Sequence, residues 1–432
     1  MIPTVACVVA IVGAEALLRT QALERLLNEA LFSGSIDGAR GMLQVIATTT
    51  MTVASLVFSL TVLTLQLASS QFSPRLLRTF LRDPVTQVVM ATFLATFVYC
   101  LTVLRSLPDA REGPVALPTT AIALAYLLAL ASVAALVLFI NSVVSSIRID
   151  TLMRDVHAET DSVVDRVYPV EVEGSNSSAI AMDFAGPSLE NARVPEQQVV
   201  TTSRGFVQAI GIERIVKCAE EANALVRLLV RPGDRVIAGG VVAVLYGGSA
   251  PDDAVPDRNG DLAQVIESEV QIGFERTMQQ DTTFGVRQLA DVAIKALSPG
   301  VNDPTTAVHA VGHLTGILCG LATRVLGPRG VADSQGVLRV QVPWADLSEY
   351  LDVACGQVRR YGSGEPLVVA ALTDLLVQID SRVERPRDRE VIRREAQRLF
   401  DDAERTVENA DDRDSCLTPL RQLLDPAYIR LV

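Results

Sequence analysis

Apolar residues are bunched towards the N-terminal end of this chain. No Asp, Glu, Lys, Arg or His occurs from Val45 to Leu67, a run rich in Leu, Val and Thr, and Val85–Leu104 is a second such run. A third lies within Val115–Ile147. Each reaches about 20 residues, enough to cross a hydrocarbon core about 30 Å thick. Met1–Leu18 is apolar as well, although shorter and interrupted by Glu15. It has no basic start and no small-residue cleavage site, so it reads as a first helix and not as a secretory signal. The pattern predicts a transmembrane domain over 1–147, with four helices at about 1–18, 45–68, 85–105 and 117–142.

Beyond residue 147 the pattern changes. Ile149, Leu152, Val156 and Val163 line one side of an amphipathic helix, and Gly, Ser, Asn and Pro dominate Gly174–Pro195, giving a helix and connector over 148–198. Residues 199–250 read as a small β-rich module: Gly205–Ile210 and Val241–Leu245 have strand character, and Arg231-Pro-Gly-Asp and Gly239-Gly240 supply turns. From 260 to 432 the spacing is mainly helical. One helix stops at Ser298-Pro299-Gly300, and another opens at Pro304 with Asp303 as N-cap and runs to about Val325. Further helices are expected around Trp344–Tyr361, Pro366–Arg382, Arg387–Val407 and Cys416–Leu424. The expected fold is thus a four-helix membrane domain followed by a cytoplasmic α+β region, a β-module and then a helical domain.

Composition sharpens this picture. The 432 residues are 49% hydrophobic and 20% charged, below the ~25% charged of a soluble domain. A net charge of -12 argues against nucleic acid as a partner. Lys217 and Lys295 are the only lysines among 38 basic residues. The six cysteines form no CxxC pair, so neither a disulfide framework nor a zinc ribbon is expected. Arg75, Arg78 and Arg82 against Asp83 put the loop after helix two in the cytoplasm, together with the C-terminal region that starts at Arg148 and Arg154. The lipid bilayer is the expected partner, and the expected location is a bacterial cytoplasmic membrane.

Two stretches stand out. Along helix two, Thr48, Thr52, Ser55, Ser59, Gln66 and Ser70 share one helical face. Such a stripe serves either as a helix-packing seam or as the lining of a weakly selective path in a homo-oligomer. Ser69-Ser70-Gln71-Phe72-Ser73-Pro74-Arg75 follows, with Ser73 and Pro74 placed to cap and open a short interfacial helix. Far downstream comes Ser298-Pro299-Gly300-Val301-Asn302-Asp303-Pro304. With these two motifs and the four-helix layout, the chain resembles the bacterial membrane proteins grouped as DUF2254. The resemblance implies an integral membrane protein with a cytoplasmic C-terminal region, and it brings no catalytic residues with it.

Candidate chemistry is sparse. His309 and His313 stand four apart on one helix, a spacing compatible with metal ligation, but the intervening residues lack the glutamate of HExxH. Helix-surface or packing roles suit them better, and His157 is the only other histidine. The residues from Ser298 to Pro304 each have a local job in ending one helix and starting the next, though such a turn also suits ligand binding. The β-module pattern is similar to the barrel-sandwich units of biotinyl and lipoyl domains, yet no lysine sits on an exposed hairpin and Lys217 falls in a predicted helix, Ile212–Ala222. No P-loop, dinucleotide-binding glycine run or nucleophile elbow is present. No cofactor and no enzymatic activity are expected. The leading expectation is an oligomeric channel- or transporter-like protein with a cytoplasmic regulatory domain, and the alternative is a membrane-anchored sensor or scaffold.

Overall fold

The computed structural model describes residues 2–19, 36–71, 84–107, 119–146, 148–168, 179–180, 195–247 and 258–425. They divide into two compact units, Met1–Thr151 and Leu152–Val432.

The first unit holds four apolar helices: α1 (Ile2–Arg19), α2 (Ile36–Gln71), α3 (Pro84–Ser106) and α4 (Thr119–Ser146). Three contain stretches long and apolar enough to span a membrane, Ile36–Gln66, Val85–Ser106 and Thr119–Val143, whereas the apolar part of α1, Pro3–Leu17, is shorter. Helix α3 packs against all three others. Leu43, Tyr99, Cys100 and Val103 form one core with Ala14, and Val57, Phe93 and Phe139 form another with Ala54 and Ala135. The main departure from expectation is α2. It begins at Ile36, nine residues before the uncharged run, and takes in Asp37 and Arg40, which were expected in a loop. At 1.5 Å per residue its 36 residues make a rod about 54 Å long, well beyond the ~30 Å hydrocarbon core. Charge ends the lipid-compatible stretch without ending the helix, because Ala39 and Leu43 continue the buried face upstream. The interfacial helix expected at Ser73 and Pro74 lies outside the described residues.

The second unit is mixed. Helix α5 (Ile149–Val167) follows α4 after two residues and buries Leu152, Met153, Val156 and Val163, the amphipathic face expected of it. Among the described residues nine strands follow in two sheets. They are β1 (Ala179–Ile180), β2 (Pro195–Val200), β3 (Gly205–Ile210), β4 (Leu225–Leu228), β5 (Arg235–Val236), β6 (Val241–Tyr246), β7 (Val270–Gly273), β8 (Arg329–Ala332) and β9 (Leu338–Val342). One sheet has the order β1-β8-β9-β4-β6-β2, with a single parallel pair, β4 and β9, and the other has the order β5-β3-β7. Strands therefore extend past the stretch 199–250 into residues 270–342, which had read as helical. Strand β9, Leu338-Arg339-Val340-Gln341-Val342, does alternate apolar and polar residues, but Arg339 in β9 and Arg329 in β8 are buried where a polar position reads as solvent-facing. Arg339 pairs there with Asp333 at 2.7 Å and donates to the Asn223 side-chain oxygen at 2.9 Å.

Helix α6 (Ile212–Glu221) carries Lys217 as expected, and α7 (Arg258–Glu269) leads into β7. Helices α8 (Thr282–Ala296) and α9 (Pro304–Ala322) lie side by side. After β9 come α10 (Leu347–Ala354), α11 (Gly356–Gly362), α12 (Pro366–Asp380), α13 (Pro386–Thr406) and α14 (Ala410–Leu424). The expected stretch Trp344–Tyr361 is thus two helices joined at Cys355.

Candidate functional site

The stripe on α2 points away from the rest of its unit. Thr48, Thr52, Ser55, Ser59 and Gln66 are exposed, while the opposite face, with Leu43, Thr50, Ala54 and Val57, is buried. Among the described residues no helix of the same chain covers the stripe. Its hydroxyls are satisfied by their own helix: Thr48 donates to the Gln44 carbonyl at 2.8 Å, Thr52 to Thr48 at 2.9 Å and Ser59 to Ser55 at 3.0 Å. Ser69, Ser70 and Gln71 close the helix, and Phe72, Pro74 and Arg75 lie outside the described residues.

The second motif is an exposed turn between α8 and α9. Asp303 caps α9, accepting from the Thr306 N–H at 3.1 Å and the Thr306 hydroxyl at 2.6 Å, and Pro304 takes the first helical position. Those bonds hold the Asp303 carboxyl below the usual carboxylate range. Asn302 sits at φ 49°, in the left-handed region that Asn tolerates better than most residues. Ser298 receives the Val301 and Asn302 N–H groups on its carbonyl, both at 2.9 Å. Pro299 and Gly300 are exposed. Helix termination and capping account for this hydrogen bonding.

The histidines part company. His309 is exposed, whereas His313 meets His157 of α5, with the two Nδ1 atoms 3.0 Å apart and the rings edge to face. One ring donates and the other accepts. His157 Nε2 also lies 3.1 Å from Asp161. Nothing in a separation of 156 residues signals this contact. Of the three glycines spaced along α9, Gly316 alone is pressed by a neighbour: a Cβ there would stand 2.6 Å from His157 Cε1, while Gly312 and Gly320 face open space. Among the described residues no three His, Cys, Asp or Glu side chains converge as metal ligands.

The feature with the shape of a binding site was not foreseen. A cleft of about 840 Å³ opens in the second unit, lined by Leu229, Arg231, the segment Val325–Pro328, Trp344, the start of α10 and the start of α13. Its lining is both apolar and charged. Arg231 forms a two-pronged pair with Glu349, one contact at 3.0 Å, and this pairing raises the guanidinium's proton affinity further. Arg387 approaches Asp346 at 3.8 Å. Burial pushes the Asp388 carboxyl up against the opposing pull of Arg385 and Arg387.

Behind the cleft lies a buried polar network. The Arg329 guanidinium sits 4.7 Å from the Tyr168 ring centroid and 5.8 Å from that of Trp344. The Tyr350 hydroxyl donates to the Tyr168 hydroxyl at 3.1 Å and also contacts Thr282, and burial raises the proton affinity of both phenols. Two arginines bracket the cleft segment Val325–Pro328, and both hold the end of α5. Arg329 donates to the Val167 carbonyl at 2.6 Å. Arg324 donates to the Tyr168 carbonyl and pairs with Asp165 at 2.6 Å.

Comparison with known proteins fits this layout. The family model for DUF2254, a predicted membrane protein, matches residues 1–378. The chain belongs to DUF2254. It is 38% identical over 389 residues to the uncharacterised proteins Mb1321c of Mycobacterium bovis and Rv1290c of Mycobacterium tuberculosis, covering 90% of this chain and 72% of each relative. No solved structure matches it. The matched span of this DUF2254 chain takes in the whole apolar unit, both motifs and most of the cleft's lining, but stops before Arg385, Arg387 and Asp388. The sequence did hold one signal for the cleft: Trp344, the chain's sole tryptophan, directly follows a proline.

Proposed function

We propose that this membrane protein is a sensor: a small molecule enters the cleft of the second unit, and its presence is read out as a change in how firmly α5 is held. The observation that carries the reading is the bracketing of the cleft segment Val325–Pro328 by Arg324 and Arg329, whose guanidinium groups grip Asp165, Val167 and Tyr168. A ligand that shifts this segment by a fraction of an ångström alters hydrogen bonds to α5, and α5 continues in sequence from the last apolar helix. The ligand-binding unit is taken to face the cytoplasm, with the bilayer as the first unit's partner.

Trp344 makes the test direct. Purified full-length protein is titrated with a panel of metabolites while tryptophan emission is followed, and hits are re-examined by hydrogen exchange. The reading expects a hit that shifts Trp344 emission and changes protection of the amides from Val156 to Tyr168. A hit that shifts emission and leaves those amides untouched contradicts the relay.

A second reading, an oligomeric path through the membrane, draws on the outward face of α2. Thr48, Thr52, Ser55, Ser59 and Gln66 are turned away from the described helices of their own unit, a face suited to meeting a second copy or lipid. Reconstituted ion flux and assembly of Ser59→Leu separate the two: blocked flux with intact assembly supports the path, and unchanged flux removes it.

A further inference from the structure

Among the described residues of the second unit, the two most exposed large apolar side chains are Phe274, 90% exposed, and Ile237, 69% exposed. They lie at the same end of one sheet. Gly205 of β3 pairs with Val236 and Phe206 pairs with Gly273, so Ile237 and Phe274 are the next residues on the two outer strands at the same sheet end. Two strand spacings put their backbones about 10 Å apart.

Phe274 is not exposed through slackness. Gln208 Nε2 holds the next carbonyl, that of Glu275, at 2.8 Å. Arg276 is tied to the buried Asp281 at 2.6 Å and lies 5.2 Å over the Phe284 ring. On β3, a Cβ at Gly205 would come within 2.2 Å of the Gly273 carbonyl oxygen, so the backbones approach as only glycine permits. A rigid loop therefore presents a bare phenylalanine to the surroundings. Arg204 and Arg235 flank the same sheet end, exposed and without hydrogen bond or ion pair among the described residues, with Glu275 exposed there and Glu267 accepting from Thr202 two residues before Arg204.

We infer that this sheet end rests on an anionic bilayer surface, with Phe274 and Ile237 entering the headgroup layer and Arg204 and Arg235 meeting lipid phosphates. Two apolar side chains fall far short of the ~800 Å² per partner that a stable protein interface needs, but they suffice as interfacial wedges. Arginines free of partners among the described residues also let a chain of net charge -12 make local contact with a negative leaflet. The family's membrane character keeps a bilayer within tether length.

The test uses the full chain in nanodiscs of phosphatidylcholine with phosphatidylglycerol, part of the lipid brominated on its acyl chains. Phe274→Trp and, separately, Ile237→Trp add one tryptophan to Trp344, whose own emission is subtracted. Val337→Trp, at the β8–β9 turn, is the control. Brominated lipid is expected to quench the added emission at positions 274 and 237 about twofold or more and to spare position 337. Combining either reporter with Arg204→Glu and Arg235→Glu is expected to relieve the quenching, as is raising salt to about 0.5 M. Three results overturn the inference: no quenching at 274 and 237, equal quenching at all three positions, or quenching indifferent to both charge reversal and salt. An emission shift in detergent that grows with protein concentration also overturns it, by assigning the patch to a second copy.

Discussion

Helices α4 and α9 are both apolar and both long enough to span a membrane, yet they are built inside out relative to one another. Helix α4 turns most of its large side chains outward, with Leu127, Leu130, Val133, Val137 and Leu138 all exposed, and it keeps Ala121, Ala125, Ser132 and Ala135, together with Ile122 and Phe139, for its neighbours. Helix α9 buries Leu314, Ile317, Leu318 and Leu321 and leaves His309, Gly312 and Gly316 at its surface. The first arrangement suits lipid, which solvates leucine as well as another helix does, so close approach between small residues drives packing. The second is that of a core helix in water, where burial of large side chains supplies the driving force. Length and apolarity do not separate the two; the side on which the small residues lie does.

Polar groups follow the same division. In the first unit hydroxyls bond to carbonyls one turn back, and two cross-helix bonds join neutral groups, from Tyr99 to the Ala121 carbonyl at 3.0 Å and between Thr96 and Ser132 at 3.1 Å. In the second, charged pairs cross between elements, as between Arg359 on α11 and Glu395 on α13 at 3.0 Å.

The sharpest way to break this comparison is to truncate one leucine in each helix. Leu318→Ala, at a fully buried position, is expected to cost the second unit about 2–5 kcal/mol in denaturant unfolding. Leu138→Ala, on the outward face, should cost under about 1 kcal/mol in lipid, because only lipid contacts are lost. Comparable losses would refute the inside-out description.

Next in size is the hydroxyl network behind the cleft. Tyr350→Phe strips the Thr282 and Tyr168 hydroxyls of a buried partner and should destabilise the second unit by about 1–3 kcal/mol, measured by urea unfolding. On the relay reading it also shifts Trp344 emission.

Capping at the exposed motif is worth less, about 1 kcal/mol for Asp303→Ala. Asp303→Asn retains an acceptor for the Thr306 N–H and should lie within a few tenths of wild type at neutral pH. The two also separate by pH. The folded Asp303 carboxyl is held below its ordinary value, so its contribution is complete above the ordinary range near ~3.9 and fades as pH falls through the lowered folded value. Asp303→Asn should lack that acid-dependent loss.

The smallest effects come from the glycines of α9. Gly312→Ala meets nothing within 4 Å and should stabilise by about 0.5–1 kcal/mol through helix propensity. Gly316→Ala drives a methyl into the His157 ring and should be net destabilising, turning favourable once His157→Ala clears the space. Thermal unfolding of the single and double variants checks the sign.

How much of this was legible beforehand depended on range. Runs without charge reveal α2, α3 and α4, and Asp303-Pro304 marks the start of α9, because lipid compatibility and capping are local properties. The contact between His157 and His313, the addition of β8 and β9 to a sheet begun before residue 200, and the cleft were hidden, since each joins residues far apart in the chain. Arg329 shows why: an arginine in a strand reads as a surface position until Tyr168 and Trp344, supplied by α5 and by the end of β9, enclose it. On α2 the polar stripe was legible as a face, but the side it is turned to is set by α3, which packs against the opposite one.

The central claim, a lipid-facing helical unit joined to a water-facing unit, is tested most directly by thiol accessibility in native membranes. Val133→Cys on the outward face of α4 and Asp261→Cys at the exposed start of α7 are each made in a background lacking Cys7 and Cys218, the partly accessible native thiols among the described residues. A membrane-impermeant maleimide is added to intact cells and to opened membranes. The account predicts no labelling at position 133 in either preparation, and labelling at position 261 only once the membranes are opened. Labelling at 133 in intact membranes, or at 261 from outside intact cells, would contradict it.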